Sequence, residues 1–170
     1  MLCPSCGHEN IEGSDRCDNC MTPLSKDDVP DAQSAEGLAR SVMEDNLSQL
    51  AQEEIVLVPL NTPAAEVVRQ MRAAHAGCAL VVDGPKLAGI FTEHDVLNKL
   101  TGDSGVAESS LVRELMSPDP EVLRETDSVA TALNKMSLGR YRHLPIRKSD
   151  GSYSVTSIKS VLQYIARADW

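Results

Sequence analysis

Apolar residues along this chain fall into short runs, and each run carries a period. Leu38, Val42, Leu47 and Leu50 recur at near-helical spacing, which predicts an amphipathic helix over 35–51. Residues 55–58 read as a short apolar strand. Thr62 then marks a helix start as the capping residue, with Pro63 at the first helical position, where proline is tolerated. That helix extends through residue 74. The uninterrupted apolar stretch 78–82 predicts a strand buried on both faces. Asp83-Gly84-Pro85-Lys86 is a tight turn, 87–91 the return strand and 93–100 a second helix.

The same order returns further along the chain, and the two copies align at one constant offset without a gap. Asn61-Thr62-Pro63-Ala64-Ala65 meets Thr126-Asp127-Ser128-Val129-Ala130, and Met71 meets Met136. Leu80-Val81 meets Pro145-Ile146, and residues 92–97 meet 157–162. Asp127 is the expected cap of the first helix in the second copy, and Ser149-Asp150-Gly151 its turn. A stretch rich in glycine and serine, 101–110, joins the copies. Each copy therefore reads strand, helix, strand, strand, helix, an α+β unit present twice.

Composition narrows the function. The chain has 170 residues with a net charge of −9, and 42% of them are hydrophobic. An acidic balance argues against a nucleic-acid binder working through a broad basic surface. The five aromatics, Phe91, Tyr141, Tyr153, Tyr164 and Trp170, are too few and too scattered for a base-stacking platform. No apolar run approaches the roughly 20 residues that span a bilayer. The first residues, Met-Leu-Cys-Pro-Ser-Cys, offer neither a basic n-region nor an apolar h-region, so no signal peptide is expected. The cytoplasm is the default compartment, where cysteines serve as thiols or metal ligands.

Four of the five cysteines lie close to the N-terminus, as Cys3-x-x-Cys6 and Cys17-x-x-Cys20. Four soft thiolates suit a tetrahedral Zn²⁺ with no open position. Gly7 gives the backbone freedom that closes the first turn. A segment this short cannot bury enough surface to fold alone, and a structural zinc supplies what is missing. Residues 1–24 are thus expected to form a zinc ribbon, with His8 a minor alternative ligand. Glu9, Glu12, Asp15 and Asp18 against a single Arg16 make it a knob for an unknown protein partner rather than a nucleic-acid reader. Residues 25–34, SKDDVPDAQS, read as a flexible linker.

Three stretches then carry a family resemblance: Gly89-Ile90-Phe91-Thr92-Glu93-His94-Asp95, Val112-Arg113-Glu114-Leu115-Met116-Ser117-Pro118 and Arg142-His143-Leu144-Pro145-Ile146. With the repeat and its element order, they make residues 35–168 resemble a pair of CBS domains, the tandem unit called a Bateman module. The first copy with its leading helix takes 35–110 and the second 111–170. The resemblance implies two α+β units packed through their sheets with two clefts. It also implies adenine nucleotides as ligands, a regulatory role without catalysis, and pairing of modules into a homodimer. Leu38, Val42, Leu47 and Leu50, with Leu162 and Ile165, would supply the dimer's apolar helix surface.

By itself, Thr92-x-x-Asp95 is a capping box. The resemblance adds a second reading, in which Asp95 holds a ribose diol and Thr92 sits beside the ribose and phosphate. It further implies that Arg142 and His143, before Leu144-Pro145, reach that phosphate. Their counterparts in the first copy are Gly77 and Cys78, and Asp95 becomes Ser160 in the second, so one cleft is expected to bind and the other is not. The competing reading is a ligand-free interaction scaffold. No nucleophile elbow, P-loop or glycine-rich dinucleotide loop occurs, so no enzyme activity is expected.

Overall fold

The computed structural model describes residues 2–3, 5–11, 14, 16–22, 24, 37–50, 53–100 and 110–167. The linker expected at 25–34 lies outside the described residues, as does all of the 101–110 join except Ser110.

The structure is α+β, with two sheets. In the first repeat, β1 (Val56–Pro59) runs parallel to β2 (Cys78–Asp83), and α2 (Ala64–Ala73) connects them. β3 (Lys86–Thr92) returns antiparallel to β2, with a bulge between Val81 and Val82. The apolar run of β2 is buried on both faces, as its composition requires. Ala79 and Val81 face a core with Val56, Val58, Val67, Met71 and Phe91. Cys78 and Leu80 face the opposite way, packed with Leu87, Ile90 and Val155. Phe91, Val67 and Leu80 are wholly buried. Each such side chain stabilises the fold by about 1.5–3 kcal/mol.

After β3 the chain enters α3 (Glu93–Asp95), which widens at once into a π turn, Val96–Leu100. The helix expected over 93–100 is thus present in a looser winding. The second repeat follows the same order: β5 (Leu123–Arg124), α5 (Val129–Gly139), β6 (His143–Arg147), β7 (Tyr153–Ser157) and α6 (Ile158–Arg167). Its three strands form the second sheet.

Each repeat's lead-in serves the other repeat. Before the second repeat come α4 (Val112–Leu115) and β4 (Ser117–Pro118), and β4 pairs with β3 of the first. Val112 N–H donates to the Thr62 carbonyl at 2.9 Å and Arg113 N–H to that of Leu60 at 3.3 Å. The mirror set joins the lead-in of the first repeat to the second: Leu47 N–H to Asp127 at 2.9 Å, Ser48 N–H to Glu125 at 3.2 Å. Bridges pair Pro63 with Leu111 and Asn46 with Ser128.

This exchange corrects three expectations. The helix over 35–51 is split into α1 (Gly37–Glu44) and a 3₁₀ turn at Leu47–Gln49. Between them Asn46 is extended, because the Asp45 carbonyl and Leu47 N–H bond to residues at the start of α5. Pro63, not Thr62, is the N-cap of α2, with no side-chain cap, since the Thr62 carbonyl is taken by Val112. Ser128, not Asp127, caps α5, accepting Thr131 N–H at 3.2 Å. The Asp127 carboxylate closes the preceding turn onto Arg124 N–H at 2.7 Å.

Division by contact runs differently from chain order. One unit holds 1–51, 123–142 and 156–170, the other 52–122 and 143–155. In the first, α1 packs on α5, and Leu47 and Leu50 are buried. Those two leucines are spent inside the chain and add nothing to a dimer surface.

Candidate functional site

Two sets of side chains carry chemistry. The first is the four-cysteine segment. Cys3, Cys6, Cys17 and Cys20 place their sulfurs within 4.8 Å of one another. Cys3 and Cys20 are 3.5 Å apart, Cys6 and Cys17 3.6 Å. A tetrahedral centre with metal–sulfur bonds of about 2.3 Å needs sulfurs about 3.8 Å apart, so the set fits a metal ion.

Two backbone turns of one design build it. Cys3 N–H donates to the His8 carbonyl and Gly7 N–H to that of Cys3, at 2.8 and 2.9 Å. Cys17 and Thr22, and Met21 and Cys17, repeat both bonds at 2.8 Å. Gly7 and Met21 hold the same left-handed position, with φ of 69° and 59°. Glycine does so freely, while methionine carries the strain. Asn10 is buried between the turns, donating to the His8 carbonyl and accepting Asp18 N–H, both at 2.9 Å. His8 is exposed and outside the cluster.

The thiols differ in acidity. Burial pushes Cys3 up to about 12, against backbone N–H groups of Ser5 and Cys6. Burial also opposes charge on Cys17, but N–H groups of Cys20 and Asn19 and the Asn10 side chain prevail and pull it down to about 6. A coordinated cation removes the obstacle at Cys3, because it deprotonates a ligating thiol outright.

The second set surrounds the start of α3. Thr92 and Asp95 form a full capping box. Asp95 N–H donates to Thr92 Oγ1 at 3.4 Å, while Asp95 Oδ2 accepts Thr92 N–H at 2.9 Å and its hydroxyl at 2.8 Å. Asp95 is buried, and its other oxygen, Oδ1, accepts Lys99 Nζ at 2.7 Å. Lys99 also donates to the Leu115 carbonyl at 2.6 Å, tying the α3 start to the lead-in of the second repeat.

His143, half-buried at the start of β6, lies against Gly77. A Cβ on Gly77 would stand 2.5 Å from His143 Nε2, so a side chain there would push the ring out of this seat. The Gly77 carbonyl accepts Glu93 N–H at 3.1 Å, and the next residue, Cys78, pairs with Thr92. Thr92, Asp95 and His143 are therefore gathered within one contact unit. Arg142 is exposed, in the other unit, and its carbonyl accepts Ile158 N–H at 3.0 Å. Ser157 and Ser160 repeat the frame of Thr92 and Asp95 and are buried. Ser160 N–H donates to Ser157 Oγ at 3.3 Å.

Lys99 is a member of this site that the sequence reading missed. The signal was there, since an acid followed four residues later by lysine is a helical ion pair. Tyr164, its counterpart in the second repeat, donates to Asp45 Oδ2 at 2.6 Å. Cys78 is a buried thiol raised to about 12 by burial and then by the charges of Glu53 and Glu93. Among the described residues, no helix is long and apolar enough to cross a membrane.

The CBS domain family model matches twice, over 47–102 and 112–167. An uncharacterized 17.7 kDa protein of Acidianus ambivalens is 31% identical over 121 residues, covering 70% of this chain and 72% of its own. The CBS domain-containing protein CBSCBSPB3 of Arabidopsis thaliana is 30% identical over 99 residues, which are 58% of this chain and only 18% of that protein. A solved structure, CBSX2 in complex with AMP, shares the fold with a TM-score of 0.62 at 17% identity, covering 72% of this chain and 97% of that one. Two matched repeats with the same bonds in the same frame have one source: the chain belongs to the CBS-domain family and carries a tandem pair.

Proposed function

We propose that this protein is a non-catalytic sensor whose CBS pair binds an adenine nucleotide at the α3 start. The observation that carries this reading is the buried Asp95 carboxylate beside Thr92, with the His143 ring one residue from Thr92's strand partner. A carboxylate accepts from both hydroxyls of a ribose, and an imidazole can donate to a phosphate. Arg142, next to His143 in the chain, is the cation we assign to that phosphate, through its planar fork of donors. The AMP complex of CBSX2 supports this ligand class.

The four cysteines hold a structural Zn²⁺ in this reading, closing the ribbon so that its surface can meet a protein partner. Leu2, Ile11 and Met21 are exposed there at 69%, 78% and 53%. Five free thiols fit a reducing cytoplasm. Ile158 and Leu162, one turn apart on α6 and 46% and 59% exposed, are the homodimer surface.

One observation favours the ligand-free scaffold: both Asp95 oxygens already have internal partners. Calorimetric titration with AMP, ADP, ATP and S-adenosylmethionine separates the two, with sedimentation of the same samples reading dimer mass. One nucleotide bound per chain is expected. No heat with any of the four would leave the scaffold.

A further inference from the structure

A side-chain hydrogen bond joins the ribbon to the second repeat. Asn134, on α5, donates from Nδ2 to Thr22 Oγ1 at 3.3 Å. The same Thr22 oxygen lies 3.1 Å from Cys20 Sγ. Thr22 also closes the second cysteine turn through its carbonyl, which accepts Cys17 N–H at 2.8 Å. Thr22 is thus bound to two of the four sulfur-bearing residues and to a helix far along the chain. In the first turn His8, in Thr22's position, is exposed.

We infer that Thr22 and Asn134 form an outer shell to the four-cysteine metal site, so that metal binding and the order of α5 are linked. The inference rests on the proposed metal reading. A ligating Cys20 is a thiolate and can only accept, so the Thr22 hydroxyl must turn its proton to the sulfur. Both lone pairs of Oγ1 then face away, and one receives the Asn134 amide. Hydrogen bonds in such a chain polarise one another.

The other end of the amide strengthens the case. Asn134 Oδ1 is buried without a hydrogen-bond partner among the described residues. An orphaned buried acceptor is costly, and it persists only where the opposite end of the group is held in place. Thr22 is what holds it. Outer-shell partners orient metal ligands and raise their affinity, and linkage requires the effect to run both ways.

The test uses the full chain with zinc, read by competition against a chromophoric chelator, and hydrogen exchange of α5 with and without zinc. Wild type is expected to bind one zinc per chain and to lose α5 protection when the zinc is stripped. Asn134→Ala and Thr22→Val are expected to weaken zinc by about tenfold or more. Both should also leave α5 exchange insensitive to zinc. Asn134→Asp, which keeps shape but not the donor, should behave as Asn134→Ala. A wild type that binds zinc while all three variants keep its affinity overturns this inference alone. A wild type that takes up no zinc overturns the metal reading and the inference with it.

Discussion

At the start of its closing helix the first repeat has Thr92 and Asp95, where the second has Ser157 and Ser160. The backbone frame is shared. Glu93 N–H bonds the Gly77 carbonyl, and in the matching frame of the second repeat Ile158 N–H bonds that of Arg142. The chemistry is not. Asp95 holds a buried negative charge with three donors aimed at it, while Ser160 offers a neutral hydroxyl beside Ser157. The helices diverge with the caps: the first opens into a π turn and the second runs as a regular α6. Lys99 ties its helix to the lead-in of the second repeat through Leu115, and Tyr164 ties its own to Asp45. One scaffold has thus been given a charged start and a neutral one. Only the charged start can exchange a partner for a ligand hydroxyl at comparable strength.

The largest expected effect breaks this contrast. Asp95→Ala should weaken nucleotide binding a hundredfold or more, since two charge-assisted bonds contribute about 1.5–3 kcal/mol each. Ser160→Ala should leave affinity unchanged. Calorimetry on both variants, with melting to confirm folding, decides it; equal losses would mean the two starts are equivalent.

Lys99→Met sharpens the contrast on the charged side. A ribose hydroxyl must replace Lys99 at Asp95 Oδ1, so deleting the lysine should tighten nucleotide binding by roughly threefold to tenfold while lowering the melting temperature of the free protein. Weaker binding would instead make Lys99 a ligand group.

The smallest effect lies on the neutral side. Tyr164→Phe should cost about 1 kcal/mol near neutral pH through the lost bond to Asp45. Burial first, and then Asp45, raises the Tyr164 phenol from 10.0 to about 12. The folded state therefore favours the protonated phenol, and its contribution is complete below pH 10 and lost as pH climbs from 10 towards 12. Stability measured by denaturant unfolding across that range should fall less steeply for Tyr164→Phe than for wild type. The difference between the two isolates Tyr164 from Cys78, which wild type and variant share.

The order of elements was legible from sequence because each depends on neighbours along the chain. The run 78–82 is apolar at every position, and only a strand covered on both faces uses that. Two C-x-x-C pairs need only a local turn each, so their cluster was readable at once. Thr62 and Asp127 are not the caps their residue types suggest, and the 35–51 helix is not unbroken, for one reason. The backbone at 45–48, 60–62, 110–113 and 125–129 bonds across the repeats, and no local preference records a partner a whole repeat away.

By itself, then, the sequence determined the repeat, the α+β pattern, the cysteine cluster and the Thr92–Asp95 box, all products of short-range spacing and composition. Tertiary structure alone decided the exchange of lead-ins, the seat of His143 on Gly77, the bond from Lys99 to the Leu115 carbonyl, and the seating of Thr22 on Asn134. Each of these joins atoms distant in the chain, or sets how full a buried group's hydrogen-bonding shell is. Both are fixed by packing in three dimensions, where burial makes an unmet polar group costly.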